Sequence, residues 1–217
     1  LPIFLAGIEK FPFYGEIKSK LKELHPNYYS LESHEKSYHF IKLMLAQDYF
    51  DFANKPKAVL DFHRYANYIA TPVEEHLKEC AFYATSNSVS HLHFTVSENH
   101  ETLFQKIIND VKTKVEAKSN TNLNVSYSYQ DKSTDTIAVN MNNQPFRNEE
   151  GRLVFRPGGH GALINNLNNL DADIIFIKNI DNVIQNHIEE ITLYKKGLAG
   201  VLLELQEQIF QILETVD

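Results

Sequence analysis

At 217 residues, 43% hydrophobic and 23% charged, the chain has an ordinary globular composition and enough length to bury a core within one large α/β domain. A net charge of −7, with no basic cluster beyond Lys195-Lys196, argues against nucleic acid as a partner, while Lys57, Arg156 and Lys178 suffice for a small phosphorylated ligand. No apolar run approaches the roughly 20 residues of a membrane span, residues 1–7 are too short and lack the basic flank of a signal peptide, and the single Cys80 permits no internal disulfide, so the expected setting is cytoplasmic.

Residues 1–50 are rich in Phe and Tyr and predict helices over 14–24 and 37–46, separated by the Pro26-Asn-Tyr-Tyr turn region. The expectation is a helical insertion packed beside an α/β core spanning 51–217. Residues 58–62 read as a weakly alternating strand. Thr71-Pro-Val-Glu-Glu predicts a helix start, with Thr71 as N-cap, Pro72 in the first turn and Glu74 three residues on, and a helix running to about 85. Cys80 falls on that helix's apolar face, with no basic neighbour to lower its pKa, and reads as a buried structural thiol.

Residues 91–96 alternate strictly, setting Leu92, Phe94 and Val96 on one strand face and His91, His93 and Thr95 on the other. A long helix is expected from 97 to 117, and a second alternating strand over 122–130. No Cys or third His stands at a zinc-like spacing from His91 and His93, and no Ser-His-Asp or Cys-His arrangement is legible. Residues 131–155 read as a long polar loop with short strands near 137–139 and 153–155; Ser133-Thr-Asp-Thr136 is either a flap over a ligand or an ordinary Asp turn.

The region from Arg156 to Val183 carries the strongest pattern. Gly158, Gly159 and Gly161 allow close backbone approach to a flat or anionic ligand, and a short helix over 162–170 would aim its N-terminus at the same place. Residues 173–177, Asp-Ile-Ile-Phe-Ile, predict a strand buried on both faces, with Asp181 just past its carboxyl end, where a carboxylate can hold Mg²⁺ against phosphates. Residues 188–216 predict a long helix with an apolar residue every three or four positions, interrupted only by Lys195. Docking on the domain's own core is its first expected role, a homodimer seam the alternative.

Gly159-His160-Gly161 followed by Asn179-Ile-Asp181-Asn182 resembles the motif pair of UDP-sugar pyrophosphorylases. Over most of its length the chain is more similar to an uncharacterised bacterial family, domain of unknown function 4301, through Lys57-Ala-Val-Leu-Asp-Phe-His63, His93-Phe-Thr-Val-Ser97, Ser133-Thr-Asp-Thr-Ile-Ala-Val139 and the Gly-His-Gly segment. These resemblances imply the nucleotide-diphosphosugar transferase fold: a three-layer αβα sandwich around a central mixed, mainly parallel sheet. They also imply roles: Gly158, Gly159, Gly161 and Gln130 reading the base, Lys57 and His160 at the transferring phosphates, Asn179 and Asn182 on sugar hydroxyls, Asp181 on Mg²⁺. A glycine-rich triphosphate loop is missing before Pro56-Lys57, so the chain is expected to be a piece of a longer protein.

The function expected from this pattern is a nucleotidyltransferase core in which an NTP, foremost UTP, meets a sugar 1-phosphate. Its alternatives are a nucleotide-sugar binding module without catalysis and a glycosyltransferase. The fragment alone is expected to be inactive.

Overall fold

The computed structural model describes residues 2–216. The first fifty are helical: α1 (Pro2–Gly7), α2 (Tyr14–Leu24) and α3 (Ser33–Leu45). Glu32 and Glu35 form a reciprocal capping box at the start of α3, which opens four residues earlier than its apolar spacing predicts. Ile17 and Leu21 of α2 meet Phe40 and Leu43 of α3 in a small core ringed by Phe4, Phe13, Tyr14, Phe50 and Phe52. Part of the segment's aromatics therefore fill their own core, while Tyr29, Tyr38 and Tyr49 stay exposed. Arg64 ties the segment to the body by donating to the Pro12 carbonyl at 2.9 Å.

The second core surrounds one parallel strand pair. Thr71 caps α4 (Pro72–Tyr83) by accepting from the Glu74 amide at 3.3 Å, as its sequence signature predicts. A hairpin of β1 (His63–Arg64) and β2 (Ile69–Ala70) precedes α4, and β3 (Thr85–Ser86) follows it, pairing antiparallel with β4 (Val89–Thr95). The chain then crosses through α5 (Glu101–Ser119) to β5 (Asn122–Ser128), which lies parallel to β4 in a register from Val89↔Asn122 to Thr95↔Ser128. Asn120 ends α5 in the left-handed region at φ 51°, a conformation its short polar side chain tolerates. Val73, Leu77 and Cys80 of α4 pack against Phe104, Ile108 and Val115 of α5 and Leu92, Phe94 and Leu123 of the sheet.

The expected mainly parallel sheet does not form. Three of the four strand pairings are antiparallel, and the described strands divide into one three-stranded sheet, β3-β4-β5, and two ribbons. A parallel pairing needs a long crossover, and only α5 supplies one between paired strands. Two predicted strands account for the difference. Residues 57–59 close into a tight helical turn that buries Ala58. Residues 173–177 form neither strand nor helix; side chains alternate between half-buried and exposed from 174 to 180, but residues 171–178 make no backbone–backbone hydrogen bond. Neighbouring side chains, described below, hold the segment in place of a ladder.

The short strands expected within the 131–155 loop form and pair: β6 (Thr136–Ile137) runs antiparallel to β7 (Phe155–Arg156), and isolated bridges join Val139 to Pro145 and Arg147 to Leu153, making the loop a ribbon. After it come a short α6 (Ile164–Asn168) and the long α7 (Ile188–Val216). No described helix is long and apolar enough to cross a membrane.

Leu77 is fully buried at the meeting of α4, α5 and the sheet. Leu77→Ala is expected to destabilise the fold by about 2–5 kcal/mol, the range for a buried leucine truncated in a packed core, read as a lower urea midpoint at unchanged slope.

Candidate functional site

The segment that links the glycine turn to α7 lies on the polar face of α4. Glu75, His76 and Glu79 occupy that face at the i, i+1 and i+4 positions, and each engages something outside the helix. Glu79, 1% exposed, accepts from Lys178 Nζ at 2.5 Å and from the Tyr83 hydroxyl at 2.7 Å. His76 Nε2 lies 3.1 Å from the Ile180 carbonyl, which can only accept, so the ring nitrogen carries the proton. The fully buried Glu75 meets His63 Nδ1 at 2.8 Å and the Tyr65 hydroxyl, while Gln185 donates its side-chain amide to the Glu75 carbonyl at 3.2 Å and its backbone N–H to the Tyr65 oxygen at 3.0 Å. Phe176 packs edge-on against Tyr83 at 4.9 Å.

This arrangement brings two of the predicted site residues together. Lys57 Nζ stands 3.2 Å from Asp181 Oδ2, across 124 positions of sequence. The hydrogen bond from Lys57 is the main cause that holds the Asp181 carboxyl below the usual carboxylate range. Asp181 thus already has a cation at hand, and a magnesium ion there would have to share or displace it. Asn179 and Asn182 are exposed beside it in a turn closed by the Asn182 N–H on the Asn179 carbonyl at 3.0 Å.

Gln130 and Gly158 form a second, separately built pair. The Gln130 amide donates to Thr134 Oγ1 at 3.0 Å, inside the 131–135 turn that Asp131 stabilises by accepting from the Ser133 N–H at 2.8 Å. Ser133 and Thr134 lie in this turn, led by Asp131 rather than by Asp135, and Thr136 begins the next strand. A Cβ on Gly158 would come 2.8 Å from the Thr134 carbonyl and 3.5 Å from Gln130 Nε2, so the glycine is required by contact between these two loops. Gly159 and Gly161 face open space, and His160 is exposed at the start of a one-turn 3-10 helix over His160–Leu163. Cys80 is buried as predicted, its thiol on the Leu77 carbonyl and pushed up to about 12 by burial.

Pairing β4 with β5 also assembles a polar row that the sequence reading left as two separate strands. His93 lies between Ser126 and Ser128, with Nδ1 2.8 Å from Ser126 Oγ and Nε2 2.8 Å from Ser128 Oγ. Thr95 Oγ1 is 3.2 Å from Ser128 Oγ, and Asn166 of α6 reaches the same oxygen at 2.8 Å. Burial lowers the His93 pKa. The signal was present in the alternation of both strands, but only the parallel register sets one polar face beside the other.

The chain matches, over residues 1–217, the family described as Domain of unknown function (DUF4301), and it belongs to that family. No curated protein and no solved structure matches it. The kinship to UDP-sugar pyrophosphorylases is therefore not supported beyond the short motifs. The nucleotidyltransferase reading is corrected with it: the mainly parallel sheet that would present a nucleotide at its strand ends is not formed, and among the described residues no group of three or more His, Cys, Asp or Glu side chains could hold a metal. The nucleotide-sugar module and glycosyltransferase alternatives rest on the same sheet and go with it.

Lys57→Met is expected to return the Asp181 carboxyl toward an ordinary carboxylate pKa, an upward shift visible in a carbon-detected NMR titration; an unchanged value would mean the pair does not form in solution. His76 supplies a second test. Burial is the largest cause that lowers its pKa, with the neighbouring Lys178 charge acting the same way, so the folded state resists protonation. The penalty is absent above the unfolded value of about 6.5 and grows as pH falls below it, until the folded histidine also titrates. Between pH 7 and 5 the wild type should therefore lose more stability than His76→Gln in parallel urea melts.

Proposed function

Starting from membership of that family, whose description assigns no activity, we propose that this chain is a self-associating module in which the α/β body presents α7 for pairing with α7 of a second copy. One observation carries the reading: α7 runs for 29 residues without a single buried one. Its first turns rest on the body, where Lys195 lies over the Tyr83 ring at 4.5 Å and the Phe176 ring at 5.6 Å. Beyond Lys195 the apolar face is open, with Leu198 71% and Ile212 60% exposed. The expectation that this helix docks on its own core holds only for its start.

The heptad frame favours a second copy as the occupant. Ile188, Lys195, Leu202, Ile209 and Val216 fall at a, and Ile191, Leu198, Leu205 and Ile212 at d. Glu204, Glu207 and Glu214 fall at c or f, and no e or g position carries a charge, so identical helices meet without like-charge repulsion. The one polar interruption of the seam, Lys195, is used against the body instead. Six open seam residues per helix, at about 1.5 kcal/mol for each of the twelve side chains of a pair, give roughly 18 kcal/mol against an association cost of about 4–15 kcal/mol. The sum is large enough to hold two copies together.

Sedimentation equilibrium tests this. The wild type is expected to run at twice the chain mass or more at micromolar concentration, and Leu202→Glu with Ile209→Glu to run as a monomer with an unchanged body. A monomeric wild type at tens of micromolar would sink the reading.

A further inference from the structure

We infer that His93 and Ser128 form a nucleophilic pair able to take up an acyl group from a small activated ester, on a part of the molecule separate from α7. The proton positions follow from the partners. The Leu92 carbonyl, which can only accept, lies 3.4 Å from Ser126 Oγ, so Ser126 donates to it and accepts from His93 Nδ1–H. With its proton on Nδ1, the imidazole leaves Nε2 bare at 2.8 Å from Ser128 Oγ, and Ser128 donates there. The Tyr129 carbonyl fixes the Asn166 amide from its other side at 2.8 Å, so Asn166 presents an N–H to Ser128 Oγ. Thr95 supplies a second donor.

Ser128 Oγ therefore has a base on its proton, which is what activates a hydroxyl; Thr95 and Asn166 hold its lone pairs, and one of these contacts opens as the oxygen attacks. The chemistry balances within the pair and the ester. As Ser128 Oγ bonds to the carbonyl carbon, its proton moves to His93 Nε2. The tetrahedral oxyanion then collapses, the bond to the leaving alkoxide breaks, and the alkoxide takes the proton from Nε2. Water deprotonated by the same nitrogen reverses the sequence and releases the carboxylic acid. No Lys or Arg belongs to this cluster, which favours an uncharged carbonyl over a phosphoryl group. Ser128, His93 and Thr95 are half-buried and Ser126 exposed, so a small reagent can reach the row. The lowering of the His93 pKa by burial keeps the base neutral at pH 7.

A fluorophosphonate tests the pair directly, because Ser128 Oγ would displace fluoride at phosphorus while His93 takes the proton. The full chain is incubated with the reagent and its peptides mapped by mass spectrometry. The expected result is a single adduct on Ser128, formed at a rate that rises through an inflection below pH 6.5 and is flat from 7 to 8. The rate should fall about 100-fold or more in His93→Gln, the scale of a lost general base, and a few-fold in Ser126→Ala, which leaves the ring free to turn. No adduct on the wild-type chain, adducts scattered over other hydroxyls, or equal rates in wild type and His93→Gln overturn the inference. The wild-type adduct is read without any variant, and it is independent of whether the chain runs as monomer or dimer.

Discussion

Two carboxylates on α4 are out of reach of solvent, and the rest of the body is arranged to make that tolerable. Glu75 and Glu79 are 0% and 1% exposed, and a buried charge without partners costs several kcal/mol. Neither finds a cation on its own helix. Their partners come from the β1 hairpin, through His63 and Tyr65, and from the chain after the glycine turn, through Lys178. Burial of these two groups therefore dictates where residues 178–185 lie, and with them Asp181 and the start of α7.

The same helix organises the apolar side. Val73, Leu77 and Cys80 face α5 and the sheet while Glu75, His76 and Glu79 face the linking segment. One helix with two differently demanding faces joins a dry core to a polar clamp. That division explains how an unladdered segment persists on the surface. His76 and Lys178 fix residues 180 and 178, and Gln185 fixes the approach to α7.

What could be read from the sequence is what local physics decides. The cap at Thr71, the alternation over 91–96 and the apolar spacing of 188–216 depend on near neighbours, and those elements stand where their patterns put them. The sheet depended on long-range pairing and was not legible. A β-branched run such as 173–177 states that the chain is extended, not which strand it joins. The candidate site divided along the same line. The residue types in the Lys57–Asp181 pair were foreseeable, but a contact across 124 positions belongs to the fold. His93 was recognised as sharing a face with His91; its serine partners sit more than thirty residues away and met it only through the register of β4 with β5.

The unladdered segment also sets how the molecule bears load. Tension applied to α7 passes into the body through the clamp on α4, contact by contact, because residues 171–178 share no backbone hydrogen bonds with a neighbouring strand. A ladder pulled along its length loads many bonds at once. Here Gln185, Ile180 and Lys178 would be reached in turn from the α7 side, each held by its own partner. The tether yields like a row of buttons, so α7 could be drawn away from the body at low force while the core of α4, α5 and the sheet remained folded.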